Sequence, residues 1–276
     1  MAMPELPEVQ TVLTTLQPRI LGLQFERVEV FLEKIIKSPQ PREFVALLQG
    51  RSITGMGRRG KYLLLELDAA YILAIHLRMT GRLVYSESVT PRDKHTHLVF
   101  CLNNGAELRF QDMRQFGTMN LMLIEDLDSF CSQKKLGPDA LDPALTRNLF
   151  ESRFKGRGGK IKQLLLDQSL VAGIGNIYAN EILWRARVSP ERTAELLTPV
   201  ELGRMYRAML AVLRAAVAHG GTTLRDYVDG SGNPGSFQSH LAVHAREGKP
   251  CLRCGKGIIR LKTGGRSSFI CPSCQR

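Results

Sequence analysis

The stretch CLRCGKGIIRLKTGGRSSFICPSC, residues 251–274, holds two Cys-x2-Cys pairs separated by sixteen residues: Cys251 with Cys254, and Cys271 with Cys274. Two short turns joined by a β-hairpin satisfy that spacing, and four thiolates held this way make a closed tetrahedral site for one Zn2+ ion. A segment of about 25 residues is too small to bury an adequate core, so the metal would supply its folding energy. Two disulfides or a redox Cys-x-x-Cys are the alternatives. We expect no secretory leader, and Cys101 and Cys131 add two unpaired thiols, which favours a reducing compartment and structural zinc. Because zinc ribbons serve DNA, RNA and protein partners alike, the rest of the chain must decide the use of this one.

The 276-residue chain carries a net charge of +12. Residues 151–276 hold 20 Lys and Arg against 9 Asp and Glu, whereas residues 1–150 hold 18 against 17. The basic excess therefore lies in the half that contains the cysteines. Nucleic acid is the polyanion this favours, through phosphate neutralisation and counterion release; a merely solvating basic surface is the bland alternative. The length allows two domains and a ribbon. No apolar run approaches the roughly 18 residues of a membrane span, so no membrane partner is expected.

Toward the N-terminus, Val9, Val12, Leu13 and Leu16 recur at helical spacing, which predicts one amphipathic helix ending before Pro18. From about residue 25 to 124 the apolar runs shorten to strand length, as in Lys61–Leu67, Tyr71–Leu77 and His97–Leu102, with turn residues such as Asn103-Asn104-Gly105 between them. Several short strands of this kind predict a β-sandwich. Leu136–Pro143 reads as a linker, and the chain turns helical beyond it. A helix over 199–219 has Thr198 and Glu201 for a capping box, Pro199 in its first turn and Gly220 at its end. Its stripe of Leu202, Met205, Tyr206, Met209, Leu210 and Leu213 faces a core. The Gly- and Ser-rich segment 229–239 reads as a mobile loop.

Seven pieces stand in order along the chain: Pro4-Glu5-Leu6-Pro7-Glu8-Val9, Arg59-Gly60-Lys61-Tyr62, His76-Leu77-Arg78-Met79-Thr80, Asp112-Met113-Arg114-Gln115-Phe116-Gly117, residues 166–184 (LDQSLVAGIGNIYANEILW), Gly265-Arg266, and the closing cysteines. In this order they resemble the bacterial formamidopyrimidine-DNA glycosylases, and the resemblance runs from Pro4 to the last cysteine. It implies an α+β multidomain fold: an N-terminal β-sandwich catalytic domain with flanking helices over 4–130, a helix–two-turns–helix DNA-binding domain over 131–240, and a C-terminal β-hairpin zinc ribbon over 241–276. The implied activity is that of a bifunctional DNA glycosylase and AP lyase of base-excision repair, acting on 8-oxoguanine and formamidopyrimidines.

In that family the mature chain begins at the proline, whose secondary amine attacks C1′ of the damaged nucleotide. The chemistry suits a terminal amine, since α-amino groups titrate near 8 and lysine near 10.4, which leaves more of it unprotonated at neutral pH. The resemblance makes Pro4 the Schiff-base nucleophile and Glu5 the general acid/base. It makes Lys61 an active-site cation and Arg266 the phosphate grip assisting β,δ-elimination, a task that suits its planar fork. Taken as bare residues, Lys61 is a solvated strand-end lysine and Arg266 a hairpin-turn arginine. An amide-bonded Pro4 has no lone pair to offer, so translation from Met3 followed by removal of that methionine is expected; a retained Met1-Ala2-Met3 would leave a non-catalytic DNA-binding protein. By resemblance, Met79, Arg114 and Phe116 fill the gap left by the extruded nucleotide, while His95, Arg157 and Asn176 contact DNA; as bare residues Met79 and Phe116 read as core. The segment 229–239 matches the part that closes over the extruded base. His76 and His97 read as core or strand histidines.

The chain departs from the family pattern at Met113 and Gln115, at Gly158-Gly159, and at His244-Ala245, where an aromatic–glycine pair is expected. A sister class, the endonuclease VIII type acting on oxidised pyrimidines, shares the N-terminal proline and is the alternative. The expected partner is double-stranded DNA containing oxidised bases. Zinc is the only cofactor expected, no nucleotide cofactor is, and the chain reads as a monomer of the bacterial cytoplasm associated with the nucleoid.

Overall fold

The computed structural model describes residues 3–276, which form two compact units. The first takes in the chain up to Lys134 together with His219–Ser236; the second takes in Lys135–Ala218 and Phe237–Arg276. No helix among the described residues is long and apolar enough to cross a membrane.

The first unit runs α1 (Leu6–Ile20), β1 (Phe25–Val30), β2 (Ile36–Ser38), α2 (Pro41–Leu48), β3 (Ile53–Arg59), β4 (Tyr62–Leu67), β5 (Tyr71–His76), β6 (Gly81–Glu87), β7 (Thr96–Leu102), β8 (Ala106–Asp112), β9 (Thr118–Leu123) and α3 (Leu127–Gln133). Its strands form a β-sandwich of two sheets, ordered β1-β7-β8-β6 and β2-β9-β5-β4-β3; β2 pairs parallel to β9, and the other pairings are antiparallel. Alternate residues of the strands face one core: Leu63, Leu65 and Leu67 from β4, Leu73 and Ile75 from β5, Leu98, Phe100 and Leu102 from β7, and Leu108 and Phe110 from β8. Helix α1 adds Val9, Val12, Leu13, Leu16 and Ile20 to the same cluster.

Helix α1 does not stop before Pro18 as predicted; it continues to Ile20 with Pro18 inside. In the last turn the proline removes one hydrogen bond, to the Thr14 carbonyl, and the full burial of Leu16 and Ile20 on either side holds that turn down. The segment 219–236 is built into this unit by long-range bonds. Thr222 N–H donates to Glu8 at 2.7 Å, Gly230 N–H to Thr15 Oγ1 at 2.9 Å, and Tyr85 N–H to the Gly230 carbonyl at 2.9 Å. The Asp229 carboxylate caps the turn by accepting from Ser231 and Asn233, so the first part of the expected loop is a hydrogen-bonded turn.

The second unit runs α4 (Arg147–Phe154), α5 (Ile161–Leu166), α6 (Asn176–Ala186), α7 (Pro199–Ala218) and the hairpin β10 (Ile259–Thr263) with β11 (Arg266–Ile270). Helix α7 starts as expected: Thr198 N–H donates to Glu201 Oε2 at 2.8 Å, and Glu201 N–H returns to Thr198 Oγ1 at 3.2 Å. Its buried stripe is Leu202, Met205, Met209 and Leu213, while half-buried Tyr206 donates its hydroxyl to the Leu145 carbonyl at 2.9 Å. The ribbon is fastened to α6 by Glu181, which is 4% exposed and accepts the N–H groups of Ala242, Val243 and His244 at 2.8, 3.0 and 2.8 Å.

Candidate active site and metal centre

The chain enters α1 through Met3, Pro4 and Glu5. Glu5 is the N-cap, with extended backbone at φ −100°, and it forms a reciprocal capping box with Glu8: each carboxylate accepts the other residue's backbone N–H, the Glu5 N–H reaching Glu8 Oε2 at 2.9 Å. Pro7 sits in the first turn, where its missing N–H costs nothing. Pro4 and Glu5 are both buried, and Glu5 is 2% exposed. The helix therefore fixes the backbone of the Pro-Glu pair to within one hydrogen-bonded turn. Met1 and Ala2 lie outside the described residues, and the expectation that the chain is trimmed ahead of Pro4 lies there with them.

Lys61 follows Gly60 in the two-residue turn between β3 and β4, across which Arg59 pairs with Tyr62. Gly60 has φ +58°, the sign a tight hairpin requires at its first turn position. A lysine at such a turn is ordinarily solvated, yet Lys61 is 6% exposed. Arg58 braces the turn, donating to the Gly60 carbonyl at 2.8 Å and to Gln10 Oε1 on α1 at 3.0 Å. The bare reading of a solvated lysine is thus not what the fold contains. Beside it, burial first and then the charges of Arg78 and Lys61 push the His76 imidazole down to about 3. His76 is neutral in consequence, and its Nδ1 accepts the Arg78 N–H at 3.0 Å.

Met79 is half-buried, Arg114 is half-buried and Phe116 is 52% exposed, with the Arg114 guanidinium 4.9 Å from the Phe116 ring centre. Phe116 is therefore no core side chain. His95 leads into β7; its N–H donates to Asp93 at 2.7 Å and its carbonyl accepts the Asp112 N–H at 2.9 Å. The loop before it is held by Arg109, 1% exposed, whose guanidinium donates to the carbonyls of Glu87, Thr90 and Pro91. His97 is buried and donates to the Asp112 carbonyl at 2.8 Å.

In the second unit, residues 166–175 fold into the turns that precede α6. Gln168 staples them: its amide donates to the carbonyls of Leu166 and Ile174 at 2.9 Å each and accepts the Gly173 N–H at 3.0 Å. Gly173 has φ +108°, open only to glycine, and Gly175 is the N-cap of α6. Asn176 opens that helix with a buried amide oxygen that has no hydrogen-bond partner. Arg157 is exposed in the loop after α4, with Nε donating to the Arg153 carbonyl at 2.7 Å. Arg266 is exposed at the tip of the β10–β11 hairpin, after Gly264 and Gly265 with φ +55° and +78°. Behind that tip Lys162, 0% exposed, donates to the Ser267 carbonyl and the Ser268 hydroxyl. Gln168 and Glu181 stand inside the quoted stretch 166–184, where neither was singled out.

The ligand sulfurs of Cys251, Cys254, Cys271 and Cys274 all lie within 4.8 Å of one another. A tetrahedron with Zn–S of about 2.3 Å has sulfur–sulfur edges of about 3.8 Å, so the four fit one zinc ion. Cys251 Sγ also accepts N–H groups from Arg253 at 3.4 Å and from the Trp184 indole at 3.5 Å, the donors expected around a thiolate that carries charge onto a metal. Trp184 and Phe269 pack against the small apolar cluster around Cys251 and Cys271. One structural zinc is held here.

A β-sandwich with a Pro-Glu pair at the head of its first helix, and a helical unit bearing a four-cysteine zinc hairpin, together define the class of multidomain zinc-ribbon proteins built on a helix–two-turns–helix. Family models narrow the class: residues 3–119 match the formamidopyrimidine-DNA glycosylase N-terminal domain, 136–228 the formamidopyrimidine-DNA glycosylase H2TH domain, and 248–276 the zinc finger found in FPG and IleRS. The chain belongs to the formamidopyrimidine-DNA glycosylase family. It is 50% identical over 274 residues to the formamidopyrimidine-DNA glycosylase of Pelotomaculum thermopropionicum, covering 99% of each chain. Two solved structures of wild-type Lactococcus lactis Fpg (MutM) are each 34% identical with a TM-score of 0.93, over 99% of this chain and 100% of theirs. One is in complex with DNA containing an oxidised pyrimidine, the other with DNA containing N7-benzyl-Fapy-dG.

Proposed function

We propose that this protein is a bifunctional DNA glycosylase and AP lyase of base-excision repair that removes oxidised purines, 8-oxoguanine and formamidopyrimidines, from double-stranded DNA. Membership of the glycosylase family over the full chain supports this reading, and so do the DNA complexes of its Lactococcus lactis relative. The observation that carries it at the level of chemistry is a lysine, Lys61, buried in a turn braced to the helix that Pro4 and Glu5 head.

The reaction begins with a free amine at Pro4. Its lone pair forms a bond to C1′ of the damaged nucleotide while the glycosidic bond breaks, and the base leaves with the proton that the Pro4 nitrogen gives up. Glu5 protonates O4′ as the sugar ring opens, leaving a cationic iminium between Pro4 and C1′. That cation withdraws electrons, so a proton lost from C2′ expels the 3′ phosphate, and a second elimination expels the 5′ phosphate. Lys61 and Arg266 steady the two phosphates as they leave. Met79, Arg114 and Phe116 occupy the gap in the duplex, and His95, Arg157 and Asn176 hold the backbone. The zinc shapes the ribbon and takes no part in any step.

The functional division follows 4–130 for the catalytic sandwich, 131–240 for the helical DNA-binding part and 241–276 for the ribbon. One chain suffices for every role named, which favours a monomer without a nucleotide cofactor, and a chromosomal substrate favours the bacterial cytoplasm and its nucleoid. Duplexes carrying 8-oxoguanine or thymine glycol, offered separately and incised in the presence of borohydride, test the assignment. Faster covalent capture on 8-oxoguanine is expected. Faster capture on thymine glycol would move the protein to the pyrimidine-directed reading, which the oxidised-pyrimidine complex of the Lactococcus lactis relative keeps in view.

A further inference from the structure

Two connections cross between the sheets at the same rim of the sandwich. Strand β5 passes to β6 through Leu77–Thr80, and β8 passes to β9 through Met113–Gly117. They run side by side because β6 pairs with β8 (Gly81 opposite Asp112) and β5 pairs with β9 (His76 opposite Thr118). One connection carries Met79, the other Arg114 and Phe116. Both contain a non-glycine residue in the left-handed region, Arg78 at φ +57° and Gln115 at +59°. Such a residue costs on the order of 1 kcal/mol, so something must hold these loops in shape.

Asp112 does so. It is 1% exposed, and its carboxylate accepts from both connections: Oδ1 from the Thr80 hydroxyl at 2.5 Å and from the Arg114 N–H at 3.2 Å, Oδ2 from the Gly117 N–H at 2.7 Å. Thr80, 6% exposed, closes the triangle by accepting the Arg114 N–H at 3.0 Å. The Asp112 backbone is fixed in turn by the His95 carbonyl and the His97 ring. Gly117 is drawn in so tightly that a Cβ there would lie 2.3 Å from the Phe110 ring and 3.2 Å from Asp112 Oδ2. The donors are two backbone amides and a hydroxyl, so the carboxylate fixes loop geometry and leaves Arg114 and Phe116 to stack on each other at the surface.

We propose that Asp112 is a positioning residue that locks the two sheet-crossing connections into one rigid wedge, so that Met79 and the Arg114–Phe116 stack enter the duplex together. The inference rests on the reading of those three side chains as gap fillers. It assigns Asp112 to lesion extrusion and to discrimination of the opposite base, and gives it no share in bond breaking, since its buried carboxylate is engaged by the donors of the two connections. Substrates that need no extrusion are therefore indifferent to it.

The test uses the full-length protein with its zinc and a verified N-terminal proline. Asp112→Asn keeps the shape but turns one acceptor into a donor facing donors; Thr80→Val removes the bridging hydroxyl and Thr80→Ser restores it. Three readouts are taken: incision of 8-oxoguanine opposite cytosine and opposite adenine, incision of a preformed abasic site, and fluorescence of 2-aminopurine placed opposite the lesion. Asp112→Asn and Thr80→Val are expected to lower 8-oxoguanine incision by about tenfold, the scale of one lost charge-assisted hydrogen bond. They are expected to narrow the difference the parent shows between cytosine and adenine, abolish the 2-aminopurine rise and leave abasic-site incision within about twofold, with Thr80→Ser close to the parent. Equal losses on abasic and 8-oxoguanine DNA, or a full fluorescence rise in both disruptive variants, would overturn the proposal. Phe116→Ala separates the two levels. If it abolishes the rise while the Asp112 and Thr80 variants keep it, only the positioning role fails. If it too leaves the rise intact, the gap-filling reading fails and the proposal with it.

Discussion

Lys162 and Ser268 meet in the interior of the second unit: the Lys162 ammonium, 0% exposed, donates to the Ser268 hydroxyl at 2.8 Å and to the neighbouring Ser267 carbonyl at 2.7 Å. Ser268 passes the bond on to Thr263 at 2.9 Å, and Thr263 to Glu191, which also pairs with Lys160. The hairpin that exposes Arg266 is thus fastened from behind by a buried cation. Replacing Lys162 with methionine removes the charge and leaves the Ser267 carbonyl without that donor, at about 2 kcal/mol. Thermal unfolding of the variant should fall accordingly while zinc content stays at one ion per chain. With Arg266 less firmly held, sequencing gels should show more product arrested after the first elimination. An unchanged ratio of the two products would separate the fastening from the chemistry.

Zinc removal should unfold the ribbon and spare the sandwich. In isolated zinc-finger peptides metal binding contributes about 10–16 kcal/mol of folding energy, and the cluster around Val243, Cys251, Ile258 and Cys271 is too small to replace it. A chelator, or Cys251→Ser, should abolish incision and covalent capture. Circular dichroism should retain the strand signal of the first unit. Full incision by protein shown to be zinc-free would contradict the structural role.

Acid should weaken both units through buried histidines. Burial, with Arg78 and Lys61 next, lowers His76 from 6.5 to about 3, and burial with Lys162 lowers His244 to about 4. Each folded unit keeps its histidine neutral where the unfolded chain binds a proton. The stability is therefore fully present above about pH 6.5 and is lost as pH falls toward the folded values, at up to about 1.4 kcal/mol per pH unit for each group. Urea unfolding at pH 5.5 should show each unit about 1 kcal/mol less stable than at pH 7.5 from these groups. In His76→Gln the first unit should lose its share of that slope.

Ala245 is exposed and adopts φ +57°, a left-handed conformation that glycine enters freely and alanine does not. Ala245→Gly should stabilise the second unit by about 1 kcal/mol, read as a higher denaturant midpoint with an unchanged slope. The departure from an aromatic–glycine pair thus has a local cost. The histidine half of the pair is accommodated: His244 accepts from Asn180 at 2.8 Å and packs edge-on against Phe269 at 5.2 Å.

What the chain's order of residues discloses is mostly local. The Thr198–Glu201 capping box, the strand-length alternation around Leu63, Leu65 and Leu67, and the two cysteine pairs are all determined within a few residues, and all were readable. Pro18 misled because the burial that rescues its turn comes from strands far along the chain. The return of residues 219–236 to the first unit depends on Glu8 meeting Thr222, a pairing no periodicity announces. Asp112 stood in a quoted motif, yet its partners Thr80 and Gly117 converge only once the sheets are paired. Motifs named the surface-facing side chains such as Phe116 and Arg266. The buried polar residues behind them, Asp112 and Lys162, needed the fold.

The central claim is most directly tested by borohydride capture on an 8-oxoguanine duplex, using protein whose N-terminus has been read by intact mass. With Pro4 as the first residue, the account expects hydride to reduce the iminium and leave a covalent adduct at Pro4, and expects none when Met3 is retained. Protein confirmed to start at Pro4 that neither incises nor crosslinks any oxidised duplex, or an adduct mapped to Lys61 instead, would contradict it.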